Sequence, residues 1–181
     1  MQLSKSVVLV GMMGAGKTTV GTRLAEHLQV PFFDTDHEIE KIQQLPVAQI
    51  FEQKGETYFR EQERMTLRRI LSISPCIIAT GGGIFMAENN RYLIAQEAIS
   101  IYLSAELSLL YERIQDDDTV RPLLMTADPK FTLQKLYHER VPCYATADLT
   151  IPVDSILTVQ ATVDLILDRM TAAYPMMFCR S

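Results

Sequence analysis

Three glycines, a lysine and two threonines lie between residues 11 and 19, in Gly11-Met-Met-Gly14-Ala15-Gly16-Lys17-Thr18-Thr19. The spacing GxxxxGKT is that of a phosphate-binding loop, and each part of it has a physical task. Glycines let successive backbone N–H groups converge on phosphate oxygens. A helix that begins here adds the positive end of its dipole. Lys17 reaches the β- and γ-phosphates, and the Thr18 hydroxyl is placed to ligate a magnesium ion. The predicted nucleotide contacts are therefore Gly14, Ala15, Gly16, Lys17, Thr18 and Thr19. A glycine-rich turn fits this pattern by accident in on the order of one chain in a hundred.

A phosphate donor needs an acceptor. Asp34 and Asp36 close the run PFFDTD, which reads as a strand. Residues two apart on a strand share a face, and ligands of open α/β sheets gather at the carboxyl ends of the strands. One carboxylate would serve the metal and the other an acceptor hydroxyl. The plainer alternative is an acidic helix start with Asp36 as its cap. A second glycine run, Gly81-Gly82-Gly83, follows CIIAT. Three consecutive glycines cost backbone entropy and make sense if their N–H groups face a ligand; a turn is the alternative. Arg60 and Arg140 lie in or at the end of helical stretches, where a bidentate guanidinium could hold an acceptor carboxylate. Arg121 falls in QDDDTVRPLLMTADPK (115–130), a polar, proline-bearing loop of the kind that covers an active site. From there it could close on the transferring phosphoryl group.

These groups need a scaffold. SVVLV (6–10) is a short, β-branched apolar run, the pattern of a strand buried on both faces. Val20, Leu24 and Leu28 then recur at helical spacing, and Pro31 is read as the end of that helix. Residues 37–73 are mostly helical, punctuated by Pro46 and Gly55. Further strands are predicted at 76–80, 98–103 and 147–153, and helices near 105–114, 129–141 and 156–172. Strand alternating with helix predicts an α/β fold with a parallel sheet.

The bulk numbers agree. At 181 residues and 48% hydrophobic content, the chain suits one compact domain. Lys plus Arg is 17 against 22 Asp plus Glu, a net charge of −5. A mildly acidic protein is a poor general binder of nucleic acid or anionic membrane, so an anionic ligand must be met by local positive charge. Cys76, Cys143 and Cys179 are far apart and show no metal spacing, as expected of reduced thiols in a cytoplasmic protein. The N-terminal apolar run is too short for a signal peptide or a membrane span. Guanine-reading NKxD and DxxG segments are absent, which argues against a GTPase switch.

The ordered set GMMGAGKTT at 11, DTD at 34, FREQE at 59, TGGG at 80, RPLL at 121 and ERVPCY at 139 resembles the shikimate kinase family, over about residues 5–165. The resemblance implies transfer of the γ-phosphoryl of ATP to the 3-hydroxyl of shikimate, on the route to chorismate and the aromatic amino acids. It implies a three-layer P-loop kinase fold with a five-stranded parallel sheet, order 2-3-1-4-5, and helices on both faces. The whole chain would be one domain. Its core would be 1–34, 74–114 and 129–173, its helical shikimate-binding region 35–73 and its mobile lid 115–128.

By the same resemblance, Asp36 binds shikimate hydroxyls and is the favoured base, and Asp34 helps Thr18 hold Mg²⁺. Arg60, Gly82 and Arg140 bind shikimate, the arginines meeting its carboxylate, and Gly81 and Gly83 join Gly82 in the substrate-binding set. Phe51 and Phe59 pack on its ring. Arg113 stacks on adenine, and Arg121 contacts the ATP phosphates alongside Lys17. A monomer is implied. The segment from Arg113 to Arg121 is a residue longer than the family pattern, and the tail AAYPMMFCRS lies outside it. A gluconate-type sugar-acid kinase is the nearest alternative, against which the DTD, TGGG and RPLL set argues. A nucleotide-binding module without catalysis is the other, against which the intact Lys17, Thr18, Asp34, Asp36 and Arg121 argue.

Overall fold

Apolar runs that lead into glycines or acidic residues become strands whose carboxyl ends share one edge. The computed structural model describes residues 2–73, 75–117 and 121–179, with the side chains of Gln2 and Cys179 excepted. Five strands, β1 (Ser6–Val10), β2 (Phe32–Asp34), β3 (Ile77–Ala79), β4 (Ala98–Ala105) and β5 (Leu149–Val153), form a parallel sheet in the order β2-β3-β1-β4-β5. This is the expected order. β1 is central and wholly buried, with Val7, Val8, Leu9 and Val10 at 0% exposure, which is why it carries no polar alternation. In the register, Asp34 stands beside Ala79 and Ala79 beside Leu9. The phosphate loop after β1, the glycine run after β3 and the aspartates after β2 therefore leave the sheet side by side.

Seven helices cover the sheet among the described residues: α1 (Lys17–Leu28), α2 (Thr35–Gln43), α3 (Val47–Leu71), α4 (Glu88–Glu97), α5 (Leu107–Gln115), α6 (Pro129–Tyr144) and α7 (Val159–Ala173). Helix α1 stops at Leu28, before Pro31. Gln29 takes φ 55° and its N–H turns back to Ala25 and Glu26, so a left-handed cap ends the helix, not the proline. Gly55, at φ 79° and ψ 168°, interrupts α3 and divides it in two. Nothing would crowd a Cβ there, so conformation is what requires glycine.

Three further expectations are corrected. The run PFFDTD is not strand to its end: the strand stops at Asp34 and Thr35 opens α2. Helix α6 continues past 141, through Pro142, to Tyr144, at the loss of one ladder hydrogen bond. Helix α7 begins at Val159, not 156. The Asp154 carboxylate accepts the N–H groups of Ile156 and Leu157 in a local turn, and Thr158 caps the helix by accepting from Ala161.

The tail beyond the family pattern returns to the other terminus. Phe178–Cys179 pairs antiparallel with Gln2–Leu3, the Ser4 N–H donates to the Met177 carbonyl at 2.9 Å, and Leu3 and Met177 are buried. Residues 118–120 of the predicted lid, Ser74 at a predicted core boundary and residues 180–181 of the tail lie outside the described residues. Among those described, no helix is long and apolar enough to cross a membrane.

Candidate active site

The loop between β1 and α1 folds back on its own lysine. Gly14 and Gly16 hold φ 80° and 88°, angles that an L side chain rarely adopts. The Lys17 amine donates to the carbonyls of Gly11 (2.9 Å) and Met12 (2.8 Å), which lays it across the loop mouth. Its surroundings strip water from it, and burial lowers its pKa to about 8 against the attraction of Asp36 and Asp34.

The two aspartates have different duties. Asp34 caps α2: its Oδ1 accepts the N–H of Asp36 (3.0 Å) and of His37 (3.4 Å), while its Oδ2 accepts the Thr18 hydroxyl at 2.7 Å. Asp34, not Asp36, is thus the cap. Asp36 enters the cleft from the first helical turn rather than from a shared strand face. Its Oδ1 is sealed from solvent and has no hydrogen-bond partner. Burial pushes its carboxyl up to about 7, the neighbouring Asp34 and Glu63 push the same way, and Lys17 opposes them.

The second glycine run explains itself by space. None of its residues has positive φ. A Cβ on Gly81 would stand 2.5 Å from Asp36 Oδ1 and 2.9 Å from Glu63 Oε1. On Gly82 it would stand 2.9 Å from an Arg140 nitrogen, and on Gly83 it would run into the Arg60 guanidinium. The glycines are there so that acceptor-side chains can lie directly on the backbone. The expectation that their N–H groups face a ligand fails at Gly81, whose N–H donates to the buried Thr35 hydroxyl at 2.9 Å.

Charge is arranged unevenly around this run. Arg60 pairs with Glu63 (2.7 Å) and Glu56 (2.8 Å), and its guanidinium stands 5.8 Å and 5.6 Å from the ring centres of Phe51 and Phe59. Burial holds the Glu63 carboxyl above its usual range even though Arg60 pulls it down. Arg140 is buried, and among the described residues no carboxylate lies within ion-pairing distance of it. On the donor side, Arg113 donates to the carbonyls of Gly14 and Asp154, both at 3.4 Å, and Arg121 to Asp117 at 2.5 Å.

One cleft of about 1150 Å³ takes in all the predicted residues: Gly14, Ala15, Gly16, Lys17, Thr18, Thr19, Arg113 and Arg121 at one end, with Asp34, Asp36, Phe51, Phe59, Arg60, Gly81, Gly82, Gly83 and Arg140 completing the wall. Sequence reasoning missed Glu63, although it closes the run FREQE one helical turn beyond Arg60. It also missed Thr35 and Tyr144. Tyr144 lay beyond the predicted end of α6.

A family model described as shikimate kinase matches residues 13–171. The chain belongs to the shikimate kinase family. A shikimate kinase of Ruegeria pomeroyi is 47% identical over 171 residues, 94% of this chain and 85% of that protein. One of Cereibacter sphaeroides is 50% identical over 150 residues, 83% and 75% of the two chains. The solved shikimate kinase of Acinetobacter baumannii, in complex with shikimate, is 35% identical with a TM-score of 0.85, and the match covers 97% of this chain and 96% of that one. Membership makes the chain a P-loop kinase.

Proposed function

We propose that this chain transfers the γ-phosphoryl group of ATP to the 3-hydroxyl of shikimate, giving shikimate 3-phosphate and ADP. The observation that carries the reading is one cleft lined both by Asp36, whose buried Oδ1 has no partner, and by Arg140, a buried cation with no carboxylate in ion-pairing distance among the described residues. A hydroxylated carboxylic acid satisfies both. Its hydroxyl hydrogen-bonds Asp36, and its carboxylate meets Arg140 and Arg60.

The residues then divide the work. Asp36 orients the hydroxyl and accepts its proton as the oxygen attacks phosphorus. Lys17 and the loop N–H groups hold the phosphates in line, and Arg121 closes from the 115–128 lid onto the phosphoryl oxygens, where most of the catalysis in such transfers arises. Phe51 and Phe59 give the ring an apolar wall, and residues 35–73 act as the acceptor-binding region. Arg113 and the Asp154 loop flank the base. The oxygen donors Thr18 and Asp34, 2.7 Å apart beside the phosphate loop, suit Mg²⁺, which takes one or two protein oxygens together with substrate phosphates. When bound there, the metal would neutralise charge on the phosphates. The chain would work as a cytoplasmic monomer on small molecules alone.

A coupled ADP-release assay tests this, with shikimate and then gluconate as acceptor, each with and without magnesium. Release that needs both shikimate and Mg²⁺ is expected. No acceptor-dependent release, or release with gluconate alone, would overturn the reading.

A further inference from the structure

The Tyr144 side chain is fully buried, at 1% exposure, yet it ends in a polar group beside the acceptor wall. Its hydroxyl donates to the Gly82 carbonyl at 2.5 Å. Its ring stacks with Tyr102 on β4, with centres 5.4 Å apart, and with Phe85 just beyond the glycine run, at 6.5 Å. Arg140 stands one helical turn back on the same face of α6, and its guanidinium lies over Gly82 beside the Tyr144 oxygen.

A phenol has one hydrogen and two lone pairs. With the hydrogen committed to the Gly82 carbonyl, a lone pair is left facing the Arg140 guanidinium. Burial raises the phenol's pKa to about 12 while the Arg140 charge pulls it down, so the hydroxyl stays protonated and the donation to Gly82 persists at working pH.

We infer that Tyr144 is a positioning residue for acceptor binding: it fixes Gly82 to α6 and aims the Arg140 guanidinium at the acceptor carboxylate. Thr35, through the Gly81 N–H, secures the same run from the α2 side. The two contacts set the spacing between Asp36, which meets the hydroxyl, and Arg140, which meets the acid. The inference rests on the shikimate reading above.

The test is Tyr144→Phe, which keeps the stacked ring and removes only the oxygen, assayed well below its own melting temperature. The KM for shikimate should rise about tenfold, the worth of one hydrogen bond to a charged group, with the KM for ATP unchanged within twofold. In an Arg140→Ala background, Tyr144→Phe should add no further rise, since it acts through Arg140. A purely structural tyrosine would lower the melting temperature and leave the KM for shikimate unmoved; that result, or full additivity with Arg140→Ala, overturns the inference. Wild-type turnover of shikimate, measured alongside, tests the underlying reading separately. Tyr144→Leu, which also removes the ring, serves as the packing control and should lose stability in addition.

Discussion

Asp36 and Glu63 each bury a carboxylate oxygen without a partner, and both oxygens crowd the point where a Gly81 side chain would begin. Two acids converge on a missing Cβ. Such an arrangement costs stability in the free protein, because a buried carboxylate with an unpartnered oxygen resists ionisation. Asp36 nonetheless lines the cleft, where the proposed proton-accepting group must stand.

Replacement of Asp36 by asparagine should separate stability from activity. The variant should lose turnover by about two to four orders of magnitude, the range for a general base, while nucleotide binding by calorimetry stays within threefold of wild type. At pH 8 its melting temperature should rise by about 2–4 °C for each kcal/mol of relieved strain. Substantial residual turnover would remove Asp36 from its assigned role.

The pH dependence follows in sign. The folded-state pKa of Asp36 is about 7, above its ordinary 3.8, so the folded ligand-free protein binds more protons than the unfolded chain between those values. Its contribution to stability is therefore greatest below about pH 4 and is lost as pH rises through 7. The melting curves of wild type and Asp36→Asn should diverge over that window. Turnover runs the other way, since it needs the ionised form, and kcat/KM for shikimate should fall below about pH 7. Parallel melting curves across the window would contradict the assignment.

Adding one methyl at Gly81 should damage the acceptor half alone. An alanine Cβ would sit 2.5 Å from Asp36 Oδ1, too close to stand, so the carboxylate must move. A rise in the shikimate KM of about tenfold or more, with the ATP KM little changed, is the expected kinetic result. Equal weakening of both substrates would show that the whole cleft had shifted.

Removal of residues 175–181 tests the terminal ribbon. The loss of Met177 burial and of the pairing with Gln2–Leu3 should cost about 1–3 kcal/mol. Thermal melting should show the drop, and kcat per folded molecule should be unchanged because none of the ribbon's described residues lines the cleft. A fall in kcat with the melting temperature held would point to a role at the site.

Much of this molecule is written in local sequence. The buried strands announce themselves as β-branched runs, because a strand covered on both faces has no use for polar alternation. The phosphate loop is legible because its task is done by the backbone, and only glycine at fixed spacing permits that backbone. What local sequence left open are relations between segments. The sequence placed Asp34 and Asp36 together on a strand face, but the structure puts a helix start between them and gives the cap to Asp34. The sequence set three glycines at 81–83, but only their contacts with Asp36, Glu63, Arg140 and Arg60 show that the need is for space and not for dihedral freedom. Thr35, Glu63 and Tyr144 stand inside the runs DTD, FREQE and ERVPCY but were given no part there, since their parts depend on partners brought close by strand order and helix packing. Residue chemistry and spacing by themselves determined which groups could act; the distances between those groups, which decide what each one does, arose only when parallel strands carried their loops to a common edge.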